Sequence, residues 1–505
     1  MRPLILSFVS GLLLALSFPR YGHPLFGWIA LAPLLVALAT SRPGPLRAWT
    51  LGLASGVVYF AGTVYWTSGV MAQYGGIATP LAALIAGLLV AYLALFPAVF
   101  ALVVALIVRR LGSRALLVAP AAWVAAELAR TLLFGGFPWA LVGYSQTSVL
   151  PVAQLASLLG VYGLSFVVVL ASAALALAAV ARDRSGLVAV GVVLVIVIGI
   201  ATWGRARVAD ARLTRAGTPV RVGLVQGDIA QDQKWTPGLE DDILGRYLTL
   251  SRQAADRGAQ AILWPESSTP FFFERSPKTE AIRLLARERG VWMLLGSDEA
   301  DRRDPRVLYN SAFMVRPDGT TAGVYRKVRL VPFGEYVPFR RLLFFAAPLV
   351  DAVGEFAPGD APVMLPLAGR AVSTAICYEV VYPALIREGV LGGSALLTTI
   401  TNDAWFGRSS APYQHFEMAA LRAIEQGRYL ARSANTGISG IVDPYGRVLM
   451  ASELFTTQVL VGDVRLIEER TIYARIGDVV AYASVAVTVV ALALAWRTGR
   501  RIRYL

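Results

Sequence analysis

The sequence predicts an α-helical multi-span membrane domain joined to a large α/β domain, and three observations carry this prediction. Of the 505 residues, 56% are hydrophobic, which is more than a soluble globular protein of this length usually contains. Apolar stretches long enough to cross a bilayer fill the first 204 residues and return once near the end. Between residues 218 and 470, charged, proline and turn residues appear, and strand patterns alternate with helix patterns.

The apolar stretches predict seven membrane-spanning helices before the polar region and one after it. Their approximate bounds are 3–19, 24–40, 48–70, 78–108, 115–133, 158–181, 186–203 and 478–496. The first stretch resembles a cleavable signal peptide, but no small-residue cleavage site follows it and another span comes at once, so we expect it to be retained. A kink at Pro97 or a tilt would accommodate the long fourth stretch. Glu127, in the fifth, is the intramembrane acid that we single out.

These spans divide the chain into a membrane domain at 1–204, an α/β domain at 218–470, a closing span and a basic tail at 497–505. Arginine residues occur in alternate loops and after the last span, whereas loops 71–77 and 134–157 carry no charge. The positive-inside rule therefore places both termini in the cytoplasm and the α/β domain outside it. The arginines at 205–215 break this pattern, but they adjoin a long translocated domain, where the rule is weaker. Most of the formal charge of +14 comes from the cytoplasmic arginines, and no nucleic-acid motif accompanies it, so nucleic acid is not an expected partner.

Within the α/β domain, hydrophobic patterns predict alternating strands and helices. The predicted strands are 219–226, 259–264, 291–296, 307–317, 320–331, 371–376, 395–401, 437–442 and 447–451. The predicted helices are 238–257, 277–290, 382–390 and 411–430.

Three of these strands end at, or contain, a side chain that could take part in catalysis: Glu266, Lys327 and Cys377. Sites in open α/β sheets form at the carboxyl ends of strands, where side chains leave the packed core. A carboxylate, an ammonium group and a thiol at such positions form a plausible catalytic constellation.

Each member of this constellation has a structural alternative. Glu266 could cap a helix, Lys327 could be one solvated charge of a basic run, and Cys377 could be a small core residue. Cys377 is the only cysteine, which excludes an internal disulfide. His415 and His23 are the only histidines. A Cys–His dyad with His415 is possible, although a lone histidine in a helix is more often structural. No residues have the spacing of metal ligands, and we expect no cofactor.

The motifs around these residues resemble those of the nitrilase superfamily, whose members use a Glu–Lys–Cys triad on an α-β-β-α sandwich. Glu266 stands in Trp-Pro-Glu-Ser, Lys327 in Tyr-Arg-Lys-Val-Arg-Leu-Val-Pro-Phe-Gly-Glu, and Cys377 in Cys-Tyr-Glu. Three motifs in the family's order rarely coincide by chance, so the resemblance favours a nucleophile at Cys377 over a core residue. It also implies a nitrilase-like α-β-β-α sandwich for residues 218–470.

The membrane part narrows the resemblance to the apolipoprotein N-acyltransferase family, which acts last in bacterial lipoprotein maturation. Seven spans before a nitrilase-like domain and one after it are typical of that family. Its motifs also match at 136–139 (Gly-Phe-Pro-Trp), 143–146, 332–338 (Pro-Phe-Gly-Glu-Tyr-Val-Pro), 402–406 (Asn-Asp-Ala-Trp-Phe), and from Gln226-Gly227 to Lys234-Trp235. Asp228 stands where the family often has asparagine, which is a minor departure. The resemblance covers essentially the whole chain.

This resemblance implies transfer of a fatty acyl group from a phospholipid to the α-amino group of the diacylglyceryl-cysteine that begins an apolipoprotein. Cys377 would carry the acyl group as a thioester, which predicts ping-pong kinetics. Glu266 would move the protons, while Lys327 would lower the thiol pKa and, with the backbone N–H after the cysteine, hold the oxyanion. Glu335 resembles the family's supporting carboxylate. Positions used by the family for substrate or loop positioning are Tyr378, Glu379 and Trp235; aromatic packing is the alternative for Tyr378 and Trp235.

An apolar run at 342–349 is too short to span a bilayer. We expect it to dip into the membrane interface beside the site, with Phe344 and Phe345 contacting acyl chains; a buried strand is the alternative.

The implied partners are a membrane phospholipid, a diacylglyceryl-apolipoprotein and the lipid bilayer, and we expect a monomer in the bacterial inner membrane. A solitary thiol suits an oxidising compartment, because the chain holds no second cysteine to pair with it. One alternative is a membrane-tethered nitrilase-type amidohydrolase, in which water resolves the acyl-enzyme. Another is a receptor or transporter with an inactive nitrilase-like domain, against which the intact triad argues.

Overall fold

The computed structural model describes residues 1–332, 334–336 and 355–501, which fall into two compact units. The first unit comprises Met1–Gly69, Ala78–Asp210 and Ile476–Leu505. The second comprises Val70–Ile77 and Ala211–Arg475. Each unit is described by itself below.

The first unit is helical. Its helices are Arg2–Ala15, Leu25–Ile29, Ala32–Ser41, Pro45–Val64, Thr79–Leu111, Ala119–Leu132, Leu150–Ala153, Ala156–Val180, Ser185–Asp210 and Val479–Arg501, and helix Trp66–Gln73 runs from this unit into the second. Among the described residues, five helical stretches are long and apolar enough to cross a membrane: Thr79–Leu111, Ser113–Gly135, Ala156–Val180, Ser185–Arg215 and Val479–Thr498. Multi-span helical character, as predicted for this part of the chain, is therefore confirmed.

The predicted spans at 3–19, 24–40 and 48–70 correspond to helices that are shorter or interrupted. Pro33 explains the interruption between Leu25–Ile29 and Ala32–Ser41. It lies in the first turn of the second of these helices, where a residue without a backbone N–H costs the helix no hydrogen bond. Pro97, by contrast, lies inside the uninterrupted helix Thr79–Leu111.

Glu127 is buried inside the first unit, where its side chain hydrogen-bonds to the backbone. Its Oε1 accepts the N–H of Val142 at 2.7 Å. On the next turn, Arg130 donates to the carbonyl oxygens of Phe137 at 2.9 Å and Trp139 at 2.6 Å. Buried polar side chains are expected to be hydrogen-bonded to nearby polar groups. Here the two side chains hold the non-helical segment that contains the Gly-Phe-Pro-Trp motif.

The second unit contains twelve described strands: β1 Thr218–Gln226, β2 Ala261–Leu263, β3 Trp292–Ala300, β4 Leu308–Val315, β5 Thr321–Arg326, β6 Leu365–Leu367, β7 Arg370–Ile376, β8 Leu397–Thr401, β9 Leu430–Ala434, β10 Gly440–Val442, β11 Val448–Ala451 and β12 Gln458–Leu466. They form two six-stranded sheets, with strand orders β12-β1-β2-β3-β4-β5 and β11-β10-β9-β8-β7-β6. Three central strands of each sheet run parallel, and the outer strands are antiparallel.

Helices cover both sheets, so the predicted α-β-β-α sandwich is confirmed. They are Glu240–Asp256 and Thr279–Arg289 on the first sheet, and Pro383–Leu391 and Ala411–Gln426 on the second; Ile472–Ile476 is a short helix at the end of the unit. Tyr247 stacks on Trp264 with ring centroids 4.9 Å apart, which buries the aromatic face of the first helix against the end of β2. The two sheets meet at β1 and β9, where Ser433 Oγ donates to the Val225 carbonyl at 3.0 Å.

The helix predicted at 411–430 ends earlier than expected, at Gln426. Gly427 follows with φ of +62°, the left-handed conformation in which helices commonly terminate and which glycine adopts without strain. Residues 430–434 then form β9, a strand that the sequence pattern did not predict.

Candidate active site

The structure places Glu266 shortly after β2, Lys327 directly after β5 and Cys377 directly after β7. All three side chains are more than nine-tenths buried. This burial argues against a solvated charge at Lys327 and against a cap on a surface helix at Glu266. Charged groups are almost never buried to this extent unless they are paired.

A buried cluster of two carboxylates, one ammonium group and one amide forms the centre of the site. Lys327 Nζ lies 3.1 Å from Glu266 Oε1 and 2.9 Å from Glu335 Oε1. Asn310 Nδ2 donates to the same two oxygens, at 2.7 and 2.9 Å. The two donors therefore bridge the two carboxylates and fix the separation between them.

The outer oxygen of each carboxylate is held by a backbone N–H. Asn402 N donates to Glu266 Oε2 at 2.8 Å, and Val331 N donates to Glu335 Oε2 at 2.7 Å. Both carboxylates are thus fixed at both oxygens, which is the kind of preorganisation that a proton-transferring group needs.

These contacts determine which of the buried groups are charged. Burial acts to raise the pKa of Glu266, but the Lys327 ammonium and the N–H groups of Asn310 and Asn402 outweigh it, and the pKa is lowered. Burial likewise acts to lower the pKa of Lys327, but the negative charges of Glu266 and Glu335 outweigh it, and the pKa is raised. At neutral pH the pair is therefore a carboxylate and an ammonium ion.

The thiol of Cys377 is held in its protonated form. Burial, followed by the charge of Glu266, raises its pKa, and Lys327 only partly opposes the increase. The sequence led us to expect that Lys327 would lower the pKa of the Cys377 thiol. Lys327 does act in that direction, but burial raises the pKa by more than Lys327 lowers it. A thiol of this kind needs a base that removes its proton during attack.

Glu379 links the chain around the lysine to the chain around the cysteine. Its Oε1 accepts the N–H groups of Val328 at 2.7 Å and Arg329 at 3.0 Å. Its Oε2 accepts Ile376 N at 2.8 Å, and Tyr325 donates its hydroxyl to the same carboxylate at 2.8 Å. One fully buried side chain therefore sets the distance between the ends of β5 and β7.

Glu379→Gln is expected to lower stability by about 1–3 kcal/mol, because the amide nitrogen would face a backbone N–H that it cannot accept. We also expect a slower reaction at Cys377, since the ends of β5 and β7 would move apart. Thermal unfolding and initial rates in detergent measure both effects. Glu388→Gln, at an exposed position on helix Pro383–Leu391, is the matched control. An unfolding midpoint equal to that of the control would contradict the linking role.

The remaining predicted residues are Tyr378, Trp235, Phe344 and Phe345. Tyr378 is buried beside the cysteine, with its ring 5.3 Å from that of Tyr382. Trp235 lies after β1 and is half exposed. Phe344 and Phe345 lie within 337–354, outside the described residues, so the interfacial loop stays a prediction.

The sequence reasoning missed two buried polar side chains of the site. Asn310 lies within β4, and the available signal was a single amide in an otherwise mostly apolar strand. Lys234 is also buried, and its Nζ lies 3.5 Å from the Glu266 carbonyl oxygen. Burial lowers the pKa of Lys234 to about 8, so this second cation loses its charge at a lower pH than an ordinary lysine does.

The lowered pKa of Glu266 makes stability depend on pH on the acid side. Its contribution is present above the unfolded carboxyl pKa, about 4.3, and is lost as the pH falls through the lower folded pKa. We expect the unfolding midpoint of the wild type to fall below about pH 4 more steeply than that of Glu266→Gln, because glutamine does not titrate. Scanning fluorimetry from pH 3 to 8 measures both curves, and parallel curves would refute the assignment.

Family models match both parts of the chain. The model described as apolipoprotein N-acyltransferase N-terminal domain matches residues 10–174, and the carbon-nitrogen hydrolase model matches residues 221–472. The second match covers the two-sheet unit and includes all of Glu266, Lys327 and Cys377.

Curated relatives match along nearly the full length. An apolipoprotein N-acyltransferase from Geobacter metallireducens is 42% identical over 504 residues, covering 98% of this chain and 96% of the relative. One from Methylococcus capsulatus is 35% identical over 488 residues, covering 95% and 93%. Among solved structures, an amidase of the nitrilase superfamily from Nesterenkonia AN1 is 22% identical, with a TM-score of 0.40, covering 52% of this chain and 94% of that chain.

Proposed function

The chain belongs to the apolipoprotein N-acyltransferase family, and from that premise we propose that it acylates apolipoproteins through a thioester on Cys377, with a phospholipid as donor. The observation that carries the proposal is the buried Glu266–Lys327 pair at 3.1 Å, whose two residues follow strands of one sheet, while Cys377 follows a strand of the other sheet. The acceptor is the α-amino group of the N-terminal diacylglyceryl-cysteine.

In the first half-reaction, the Cys377 sulfur attacks the ester carbonyl of the phospholipid while Glu266 takes the thiol proton. The new C–S bond leaves a negative charge on the former carbonyl oxygen. The Lys327 ammonium and the N–H of Tyr378 stabilise this oxyanion. The intermediate collapses by breaking the ester C–O bond, and Glu266 returns the proton to the departing lysophospholipid oxygen. The protein now carries a thioester.

In the second half-reaction, the α-amino group of the diacylglyceryl-cysteine attacks the thioester. Glu266 accepts a proton from the attacking amine, a C–N bond forms, and the C–S bond breaks. The sulfur leaves and regains its proton from Glu266. The sum is one ester and one amine converted into one amide and one lysophospholipid, with no other reactant.

The charge states at the site support these roles. Glu266 rests as a carboxylate and can accept a proton, whereas the buried thiol rests protonated and has one to give. Glu335, 2.9 Å from Lys327, places a second negative charge beside the ammonium group and helps to keep it charged for the oxyanion.

We place the catalytic unit on the extracytoplasmic side of the bacterial inner membrane, with both termini cytoplasmic. The alternation of arginine-rich loops supports this orientation. A second support comes from the uncharged segment Val70–Ile77, which belongs to the catalytic unit. Within it, the Tyr74 hydroxyl donates to the Ala404 carbonyl at 3.0 Å, and the ring lies 5.0 Å from that of Trp405.

Mass spectrometry of a synthetic diacylglyceryl peptide, incubated with the protein in phospholipid vesicles, tests the proposal. We expect the peptide to gain one acyl chain on its amine, with one lysophospholipid released for each product. A peptide whose α-amino group is acetylated is the control and should remain unchanged. Release of free fatty acid with an unmodified peptide would identify a hydrolase and overturn the proposal.

A further inference from the structure

His415, which the mechanism above does not use, contacts the backbone of the candidate nucleophile. It lies in helix Ala411–Gln426 with its side chain fully buried, and its Nε2 is 3.1 Å from the carbonyl oxygen of Cys377. Cys377 itself has φ of +52°, a left-handed conformation that a non-glycine residue keeps only when its surroundings enforce it. The histidine thus lies where the strained backbone needs support.

The other ring nitrogen of His415 lies between an acid and a guanidinium group. Nδ1 is 3.1 Å from Asp403 Oδ1 and 3.0 Å from Arg432 Nη2. The same Nη2 donates to Asp403 Oδ2 at 2.8 Å, and the Thr401 hydroxyl donates to Asp403 Oδ1 at 2.7 Å. The side chains of His415, Asp403 and Arg432 are all fully buried.

This environment selects one form of the imidazole. Burial and the charge of Arg432 lower the pKa of His415, and Asp403 only partly opposes them, so the ring is neutral. A neutral imidazole has one donor and one acceptor. Because the carbonyl oxygen beside Nε2 can only accept, the proton lies on Nε2, and Nδ1 accepts an N–H from Arg432. His415 therefore donates to the carbonyl of Cys377.

The acceptor oxygen belongs to a peptide group that matters to the reaction. The carbonyl of Cys377 and the N–H of Tyr378 are the two ends of one planar peptide unit. A hydrogen bond to the oxygen of such a unit fixes its plane and polarises it, which makes the N–H at the other end a stronger donor. In the mechanism above, that N–H is one of the two oxyanion donors.

We propose that His415, held by Asp403 and Arg432, is a positioning residue that orients and polarises the Cys377–Tyr378 peptide for oxyanion stabilisation. The inference rests on the proposed function, because it needs an acyl transfer that develops an oxyanion. It also assigns His415 a role different from the Cys–His dyad: the ring contacts the carbonyl oxygen of the nucleophile's own residue and acts on the transition state through the backbone.

Two reactions of the same thiol separate this role from a merely structural one. Acylation by phospholipid develops an oxyanion, whereas methyl methanethiosulfonate reacts at sulfur without one. The leucine of His415→Leu cannot donate a hydrogen bond. We therefore expect kcat for acylation to fall by about tenfold to a hundredfold, which corresponds to losing much of the effect of one oxyanion donor. The KM for phospholipid should be unchanged. The rate of modification by methyl methanethiosulfonate should stay within roughly twofold, since no oxyanion donor is involved. His415→Gln, whose amide can donate, should recover part of the loss.

Gln426→Leu is the matched control, because it also replaces a fully buried polar side chain of the same helix. Its amide has no hydrogen-bond partner among the described residues, so both rates should remain at the wild-type level. Equal losses in the two reactions of the His415 variants would show a displaced cysteine and overturn the inference, as would an unchanged acylation rate. Wild-type protein that reacts with the thiosulfonate but never forms an acyl adduct would instead overturn the proposed function.

Discussion

Cys377→Ala is expected to abolish N-acylation, with a fall in kcat of about 10⁵–10⁶-fold, as for loss of the nucleophile from other acyl-transfer triads. The loss is this large because without the sulfur the amine must attack the phospholipid ester directly. The two substrates would then have to react in one step that the site is not built to bring about. Rates of lysophospholipid release and of peptide acylation measure the loss separately, and both should disappear together.

The folded structure should survive this substitution. The thiol contributes little beyond packing, and alanine leaves only a small cavity at a position already surrounded by other side chains. Ser373→Ala, which removes a similar buried atom from the strand that precedes Cys377, is the control and should retain activity. If Cys377→Ala retained even a few per cent of wild-type turnover in a protein with a normal unfolding midpoint, the thioester route would be wrong.

Glu266→Gln is expected to lower the rate of Cys377 acylation by about 10³–10⁴-fold, at the upper end for loss of a general base. Glutamine cannot accept the thiol proton. It would also present an amide N–H to donors such as Lys327 and the Asn402 N–H, which now point at carboxylate oxygens. Glu274→Gln, at an exposed position in the same connection, should leave the rate unchanged.

The pH profile of this variant distinguishes a lost base from a disordered site. With Glu266 present, its low pKa and the raised thiol pKa predict a nearly flat acylation rate between about pH 5.5 and 7, because neither group titrates there and Lys234, with a pKa of about 8, stays charged. Without the base, attack depends on the thiolate fraction, which grows tenfold per pH unit below the thiol pKa. The rate of Glu266→Gln should therefore rise with pH. A flat profile at a low rate would contradict the assignment of Glu266 as the base.

The three candidate catalytic residues could be found from the sequence because their signals are local. Each follows or ends a short apolar run, and side chains at strand ends leave the packed core. That Cys377 follows a strand of a different sheet from the other two was not predicted. The link from Lys327 to Glu335 could not be found in this way. It depends on the path of the chain after β5, and only the resemblance to a known family pointed to it.

Other contacts could not be predicted from the sequence because they join distant parts of the chain. Strand β12 pairs with the full length of β1, from Thr218 opposite Leu466 to Gln226 opposite Gln458, and nothing near either segment encodes that pairing. Strand β9 reads Leu-Ala-Arg-Ser-Ala and is wholly buried, so it shows no alternation of polar and apolar residues. The charge that obscures the pattern, Arg432, is the one that positions His415.

Intact-mass spectrometry of the protein after incubation with phospholipid alone tests the central claim most directly. The account predicts a mass increase of one acyl chain that maps to Cys377 and persists in buffer. A diacylglyceryl peptide with a free α-amino group should discharge it, with the acyl chain recovered on the peptide. Absence of the adduct, or discharge by water as fast as by the peptide, would contradict the account.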